Sequence, residues 1–229
     1  MIIYGPIDPY AERVCMHTLL LATSNPHKLE EYRAILSDLP LRLFSLSDID
    51  LTVDVEETGN TFAENAELKA RTYAGLSHML TLADDSGLEI DALGGAPGVH
   101  SARYLGRETS YEERFRVILE QLKGIPLDQR SARFRCVIAI AEPTGNIRTV
   151  EGIVEGVIAE SPRGTYGFGY DPIFFLPELG KTFAELQPVD KNRISHRARA
   201  AQSARELLED WPYDSYGNRD HYRDTKERS

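Results

Sequence analysis

The segment TLADDSGLEI, residues 81–90, places two aspartates side by side after a short apolar run. Successive side chains of a β-strand point to opposite faces of its sheet. Two adjacent carboxylates are therefore difficult to accommodate in a buried strand, and the Ser86–Gly87 pair that follows is typical of a break. We expect a short strand over residues 78–85 that ends at Asp84 and Asp85.

The segments on either side alternate between strand-like and helix-like patterns. Apolar runs predict buried strands at residues 17–23, 41–46 and within 171–175, and two long strands within 132–160 joined by a turn at 143–146. Apolar periodicity and N-cap residues predict helices at residues 25–38, 61–76, 110–122 and 195–210, with capping boxes at Thr61–Glu64 and Ser110–Glu113 and N-caps at Asn25 and Ser195. This order predicts a mixed α/β protein with an antiparallel hairpin in its sheet.

The length of 229 residues suits one large domain or two lobes that share a core. Residues 1–16 show no clean periodicity, and we interpret them as an N-terminal extension. Residues 17–210 form the predicted single α/β domain. Residues 211–229 mix charges with turn formers and are interpreted as a polar C-terminal tail.

Composition narrows the possible function. The net charge of −10 argues against binding a nucleic-acid polymer, which needs a basic face, but it allows a local basic pocket for a small phosphate ligand. Two cysteines without a CxxC pattern indicate neither a zinc site nor a disulfide framework, so we expect a reducing, cytoplasmic setting. No apolar run has the length of a membrane span, and we see no signal peptide.

A strand, a loop and a capped helix succeed one another at residues 17–38. A helix N-terminus offers free N–H groups to an anion, and the loop side chains Thr23, Ser24 and Asn25 and the cation of Lys28 could add to them. A capped helix with a solvated lysine has the same pattern and is commoner. Taken alone, this stretch favours that simpler interpretation.

Acidic residues lie on both sides of the predicted helix at 61–76. Glu56 precedes it in a loop, and carboxylates from separate loops are usual protein ligands of Mg²⁺, so Glu56 and Asp85 could share a metal. Lys69 fits either a surface ion pair or a phosphate contact. Asp84 and Asp85 could also simply cap a turn at a polar strand end, and the two interpretations are evenly balanced.

Two further stretches suit a nucleobase. Residues 163–175 concentrate glycines and aromatic rings, which could form a slot for a flat ligand or pack as a loop on the core. Residues 190–200 place Lys191, His196 and Arg197 at or near the start of a helix. Cations at that position oppose the helix dipole, which hints at a function, although a patch of basic surface is the alternative.

The order of these stretches carries more information than any one of them. TSNPHK (23–28), EETGNTFAENAELKA (56–70), ADDSGLEIDALGGAPGVHSARY (83–104), GFGYDPIFF (167–175) and ISHR (194–197) together resemble the inosine/xanthosine triphosphate pyrophosphatase family. The resemblance covers roughly residues 18–208, with Ser24 where a glycine is common. It implies two α/β lobes around a long central mixed β-sheet flanked by helices, an active site in the inter-lobe cleft, and a homodimer.

The resemblance also implies an activity, which is hydrolysis of ITP, dITP and XTP to the nucleoside monophosphate and pyrophosphate with Mg²⁺. It gives Asp85 the roles of catalytic base and metal ligand, supported by Asp84, with Glu56 as the second metal carboxylate. The residues it assigns to the triphosphate are Thr23, Ser24, Asn25, Lys28 and Lys69. Those it assigns to the remaining substrate contacts and the base slot are Ser86, Phe168, Gly169, Tyr170, Asp171, Lys191, His196 and Arg197.

Two alternatives stand beside this hypothesis. A Maf-like nucleotide pyrophosphatase has a similar architecture but is not expected to combine GFGYDPIFF with SHR. A non-catalytic nucleotide-binding module would keep the lysines and the aromatic slot but need not keep the carboxylates Glu56, Asp84 and Asp85 together. Their joint presence favours catalysis. The roles of Arg103 and Tyr104 stay open between lining the cleft and packing the lobes.

Overall fold

The computed structural model describes residues 17–213, and the predicted extension at 1–16 and most of the predicted tail lie outside them. The strands of this part are β1 His17–Leu21, β2 Leu41–Ser45, β3 Thr81–Ile90, β4 Ser131–Ala141, β5 Ile147–Ile158, β6 Phe174–Leu176 and β7 Lys181–Thr182. Its α-helices are α1 Pro26–Ile35, α2 Phe62–Ser77, α3 Tyr111–Gln121, α4 Pro188–Ile194 and α5 His196–Glu209.

The strands form one mixed sheet in the order β2-β1-β3-β4-β5-β6-β7. β1 is parallel to β2 and β3, and the remaining neighbours are antiparallel. β4 and β5 pair from Ala141 and Ile147 onward, so the predicted hairpin is confirmed. The mixed α/β fold expected from the alternating pattern is therefore confirmed as well.

Three apolar clusters cover the sheet. One packs α1 and α5 on one face of β1, β3 and β4, and a second packs α2 on the opposite face. A third fills the space between α3, the far half of the β3–β5 ribbon and β6. Trp211 and Tyr213, in the predicted tail, belong to the first cluster, and the Tyr213 ring stacks on His17 at 3.8 Å.

The predicted caps are nearly all formed. The Asn25 carboxamide accepts hydrogen bonds from the first turn of α1, and the Thr61 capping box is complete at α2. The Ser195 hydroxyl caps α5. The capping box expected at Ser110 is only half formed, because the Glu113 carboxylate binds Arg116 Nε and Nη2 at 2.8 and 2.7 Å instead of turning back to the cap.

The prediction that a strand ends at Asp84 and Asp85 is wrong. β3 continues through both aspartates to Ile90, and its pairing with β4 is unbroken. Both carboxylates are tolerated because they lie on opposite faces and each has polar partners there. Gly87 does not break the strand either. A Cβ at Gly87 would lie 2.4 Å from Ser101 Oγ, so the glycine admits a neighbouring turn.

Two other local features differ from expectation. β6 begins at Phe174 and not at Asp171, because the Asp171 carboxylate accepts a hydrogen bond from Phe168 N and closes a turn. The short helix α4, which was not predicted, carries Lys191. Within residues 17–213, no helix has the length and apolar character that crossing a bilayer requires.

Candidate active site

A cleft of about 340 Å³ opens where β1 ends, beside the middle of β3. It brings together almost all of the site residues expected from the sequence. Those that line it are Thr23, Ser24, Asn25, Lys28, Lys69, Asp85, Ser86, Phe168, Gly169, Tyr170, Asp171, Lys191, His196 and Arg197. Glu56 and Asp84 do not line it. A larger groove between α1, α4 and α5 adjoins the cleft at Phe168 and Lys191 but contains neither Asp85 nor the loop at residues 23–25.

Asp85 is a buried carboxylate that lines the cleft. Its Oδ2 accepts a hydrogen bond from Asn65 Nδ2 at 3.0 Å, and its Oδ1 lies 3.9 Å from Lys69 Nζ. Burial raises the pKa of Asp85, the Lys69 charge opposes this, and the nearby Glu57 charge adds to it, so the pKa lies above its ordinary value. A carboxylate with a raised pKa is suited to accept a proton.

Asn65, which was not predicted, orients Asp85. Its Oδ1 accepts a hydrogen bond from Gly59 N at 2.8 Å, which directs the amide group toward the aspartate. Asn65 is fully buried in the first turn of α2. A buried asparagine in the segment FAENAELKA could have signalled this role, because buried amides need polar partners.

Asp84 has a different environment. Its Oδ2 lies 2.8 Å from Lys28 Nζ, 3.8 Å from an Arg197 guanidinium nitrogen and 3.7 Å from Cys136 Sγ. Burial raises the pKa of Asp84, but Lys28, Arg197 and Lys69 more than offset this, so the pKa lies well below its ordinary value. Asp84 is therefore an ionised buried partner that holds two cations of the cleft.

Glu57 is the cleft carboxylate that shares Lys69 with Asp85. Its Oε1 lies 2.5 Å from Lys69 Nζ, and its Oε2 lies 2.9 Å from Arg103 Nη1. Burial raises the pKa of Glu57, but the Lys69 charge and hydrogen bond outweigh burial and lower it. Glu56 is exposed, and its side chain makes no hydrogen bond or ion pair with residues 17–213. The structure thus brings Glu57, and not the predicted Glu56, to Asp85.

Glu57 and Asp85 together fit a hard divalent cation. Lys69 Nζ lies beside both of them, so Glu57 and Asp85 already converge on one positive charge. Among the described residues, no group of three or more His, Cys, Asp or Glu side chains could hold a metal ion. Mg²⁺ is usually bound by one or two carboxylates together with water and substrate phosphates, and this pair meets that need.

The loop after β1 forms the basic end of the cleft. Thr23 Oγ1 accepts a hydrogen bond from Asn25 N at 3.2 Å, and Asn25 Oδ1 accepts two from the first turn of α1. Lys28 projects from that same turn and reaches Asp84. The remaining free N–H groups of the helix and the ammonium of Lys28 give this end a positive field that suits phosphate.

The opposite end of the cleft is aromatic and basic. Lys191 Nζ lies 2.6 Å from the buried Asp171 carboxylate and 4.7 Å from the centre of the Phe168 ring. The His27 ring stacks on the Phe168 ring, with the ring centres 5.2 Å apart. The Tyr170 hydroxyl donates to the Ser101 carbonyl at 2.9 Å, so Tyr170 is a fixed wall.

Glu31 joins the basic residues of this end and was not predicted. Its carboxylate binds Lys191 Nζ at 3.1 Å and forms a close ion pair with Arg197 Nη1. Arg197 Nη2 also donates to Ser86 Oγ at 3.0 Å. The three-residue spacing between Lys28 and Glu31 on α1 placed both on one helix face and could have indicated Glu31.

His196 is buried against Phe134, with ring centres 4.6 Å apart. Its Nδ1 has no hydrogen-bond partner among residues 17–213. Burial and the Arg197 charge lower the pKa of His196 well below its ordinary value, so the imidazole is neutral. A neutral ring at the wall of the cleft can offer either a donor or an acceptor to a ligand.

Comparison with known proteins finds relatives that match most of this chain. The dITP/XTP pyrophosphatase of Bacillus subtilis is 49% identical over 196 residues, which are 86% of this chain and 99% of that protein. The dITP/XTP pyrophosphatase of Geobacter sulfurreducens is 50% identical over 185 residues, which are 81% of this chain and 93% of that protein. The resemblance found in the sequence is thereby confirmed.

Solved structures agree with the sequence relatives. The HAM1 protein of Coxiella burnetii superposes with a TM-score of 0.78 at 44% identity, covering 85% of this chain and 99% of that chain. The Ham1 protein of Staphylococcus aureus gives a TM-score of 0.76 at 40% identity, covering 84% and 98%. A sequence profile of the Ham1 family matches residues 19–207, and we conclude that this chain belongs to the Ham1 family.

Proposed function

We propose that this chain hydrolyses the deaminated purine nucleoside triphosphates ITP, dITP and XTP to the monophosphate and pyrophosphate. The observation that carries the proposal is one cleft with the carboxylate pair Glu57 and Asp85 between a basic helix N-terminus and an aromatic slot. The names of the relatives from Bacillus subtilis and Geobacter sulfurreducens, both dITP/XTP pyrophosphatases, support the substrate class.

In this proposal Asp85 is the general base and Glu57 replaces Glu56 as the second metal carboxylate. A bound Mg²⁺ would neutralise phosphate charge and make a coordinated water more acidic. Asp85 Oδ would take the proton of the attacking water while Asn65 keeps the carboxylate aimed into the cleft. Asp84 acts indirectly, through its ion pairs with Lys28 and Arg197.

The positive groups of the cleft bind the triphosphate. Lys28 and the free N–H groups of α1 lie at one end, and Lys69 lies beside the two carboxylates. Thr23, Ser24 and Asn25 add hydroxyl, amide and backbone groups from the loop. These groups compensate several negative charges and place the α-phosphate near Asp85, and such orientation of reactants lowers the barrier.

Base selection rests on donors in the slot. Hypoxanthine and xanthine carry a 6-oxo acceptor where adenine carries a 6-amino donor. The 6-oxo group can accept hydrogen bonds from Lys191, Arg197 and the backbone N–H groups near Gly169. An adenine would leave these buried donors unpaired. Phe168 supplies the stacking surface, with Tyr170 and Asp171 fixing the wall on that side.

The test is pyrophosphate release from ITP, XTP, GTP and ATP with Mg²⁺, for the wild type and Asp85→Asn. We expect strong turnover of ITP and XTP, weak turnover of GTP and ATP, and a loss of about 10³-fold or more in kcat for the variant. Equal cleavage of ATP and ITP would contradict the base slot. Tight ITP binding without any hydrolysis would favour the non-catalytic binding module.

The proposal includes a homodimer in the cytoplasm. Its support is the family resemblance and the two cysteines without a disulfide or zinc pattern, one of which, Cys136, is a buried free thiol. Sedimentation equilibrium of the full chain tests the assembly state, with twice the chain mass of 25.7 kDa as the expected result. A single species at 25.7 kDa would contradict it.

A further inference from the structure

His27 and Phe168 form a ring stack at the boundary between the cleft and the larger groove. Their ring centres lie 5.2 Å apart and their planes differ by 13°, which is typical of an offset aromatic pair. Phe168 lines both the cleft and the groove, whereas His27 lines the groove and not the cleft. His27 therefore packs on the groove side of the Phe168 ring.

The cleft side of the same ring is the surface that the proposed function gives to the nucleobase. Arg197 lines the cleft and not the groove, and its guanidinium carbon lies 5.5 Å from the centre of the Phe168 ring. A hydrogen-bond donor is thus close to the surface on which a base would stack. A base bound there would have the Phe168 ring between itself and His27.

The backbone around Phe168 does not by itself fix the ring. Gly167 and Gly169, on either side of it, have φ angles of +73° and +64°, a region that glycine adopts without steric cost. Phe168 N donates to the Asp171 carboxylate at 2.9 Å, which holds the backbone of this turn. The side-chain torsions of Phe168 then depend on what the ring contacts.

His27 is held by the start of helix α1. Its backbone N–H donates to Asn25 Oδ1 at 3.0 Å, and it follows Pro26 in the first helical turn. The helical backbone restricts the rotamers that the imidazole can adopt. The stack therefore connects a regular helix to a turn whose central ring lies between two glycines.

We propose that His27 is a positioning residue of the reaction, which holds the Phe168 ring from the groove side so that a nucleobase can stack on its cleft side. This inference rests on the proposed function, since it assumes a base against Phe168. A stacking surface contacts the face of a base and does not read its edge. His27 should thus affect the affinity for the substrate and leave the choice among bases unchanged.

His27→Ala tests the proposal by removing the ring. Alanine keeps the backbone N–H that Asn25 caps and is a good helix former, so α1 should stay intact. We expect KM for ITP and for XTP to rise by about three- to tenfold, with kcat within about twofold of the wild type. The affinity for inorganic pyrophosphate with Mg²⁺, measured by calorimetry, should be unchanged. His27→Phe restores a flat ring and should recover most of the loss in KM.

Gln202→Ala is the matched control, because Gln202 is exposed in the same groove and does not line the cleft. Its KM for ITP should equal that of the wild type. A double-mutant cycle with Phe168→Ala then measures whether His27 acts through the Phe168 ring. The loss caused by His27→Ala should vanish when residue 168 is already alanine.

Three other outcomes would each overturn a specific claim. If His27→Ala leaves KM for ITP unchanged, or raises it equally with and without Phe168, the positioning role is wrong. If pyrophosphate binding weakens in His27→Ala and His27→Phe does not recover KM, His27 acts on the phosphates and the positioning role is again wrong. If Phe168→Ala alone leaves KM for ITP unchanged, the base slot of the proposed function fails, whatever His27→Ala does.

Discussion

Glu56 and Glu57 are adjacent in the chain and have opposite surroundings. Glu57 faces Lys69, Arg103 and the cleft, whereas Glu56 is exposed. We expect Glu57→Gln to lower kcat/KM for ITP by about 10²-fold or more and to weaken Mg²⁺ activation, because a metal carboxylate is lost.

Glu56→Gln is the control for this prediction, since it makes the same chemical change one residue away. It should stay within about threefold of the wild type, as expected for an exposed side chain that has no partner among residues 17–213. Steady-state kinetics over a Mg²⁺ titration measures both variants. A large loss in Glu56→Gln with little change in Glu57→Gln would restore the original assignment of Glu56.

The sequence predicted a carboxylate at this position but not which of the two glutamates faces the cleft. The spacing of EETGNTF indicated a carboxylate before α2, and the cluster of charged residues indicated a site. Adjacent side chains of an extended segment point in different directions. Which of them faces the cleft depends on how the loop crosses the sheet, and no local pattern determines that.

Strand β3 contains a glycine, Gly87, that lets the turn at residues 98–101 pack closely against the strand. A Cβ at Gly87 would lie 2.4 Å from Ser101 Oγ and 2.5 Å from the Gly98 carbonyl. Gly87→Ala should therefore lower the free energy of unfolding by about 2 kcal/mol and displace the turn that carries Arg103. Denaturant unfolding and ITP turnover measure the two effects.

Gly75→Ala provides the matched glycine substitution. Gly75 is exposed on α2, and a Cβ there would meet nothing within 4 Å. Replacing an exposed helical glycine with alanine should raise stability by about 0.5–1 kcal/mol and leave turnover unchanged. If both variants lose stability equally, the close approach at Gly87 is not what constrains that position.

The helices were predictable from the sequence to a degree that the strand β3 was not. Asn25, Thr61 and Ser195 mark helix starts through local hydrogen bonds, and each caps its helix as expected. β3 was predicted to stop at Asp84 because isolated carboxylates are costly in a sheet. Its continuation depends on Lys28 and Asn65, which lie far away in sequence and meet the strand only in the folded chain.

Buried ion pairs join helices α1, α4 and α5 to one another and to strand β3. Asp84 on β3 binds Lys28 on α1 and Arg197 on α5. Glu31 on α1 binds both Lys191 on α4 and Arg197. Removing one partner of such a network leaves the other charges buried without a counter-charge, which destabilises the folded state.

Asp84→Asn should therefore lower the free energy of unfolding at pH 7 by about 3 kcal/mol. The pKa of Asp84 lies below its ordinary value, since Lys28 and its neighbours outweigh burial. Its stabilising contribution is present above the unfolded pKa of about 4 and is lost as pH falls through the folded value. The difference between variant and wild type should shrink in acid, measured by urea unfolding from pH 7 to pH 3.

Asp85→Asn should behave in the opposite way. Burial raises the pKa of Asp85, so its ionised form costs stability above the unfolded pKa. The variant should be at least as stable as the wild type at pH 7, with the gain vanishing below about pH 4. Two neighbouring aspartates would then differ in the sign of their effect, and equal destabilisation by both substitutions would contradict the pKa direction given for Asp85.

The placement of two buried carboxylates on opposite faces of one strand also limits how this chain can change in length. Shifting β3 by one residue against β4 would turn Asp84 into the cleft and Asp85 into the apolar cluster of α1 and α5. Insertions or deletions within either strand are therefore excluded, whereas the turn between β4 and β5 can vary in length without moving either aspartate.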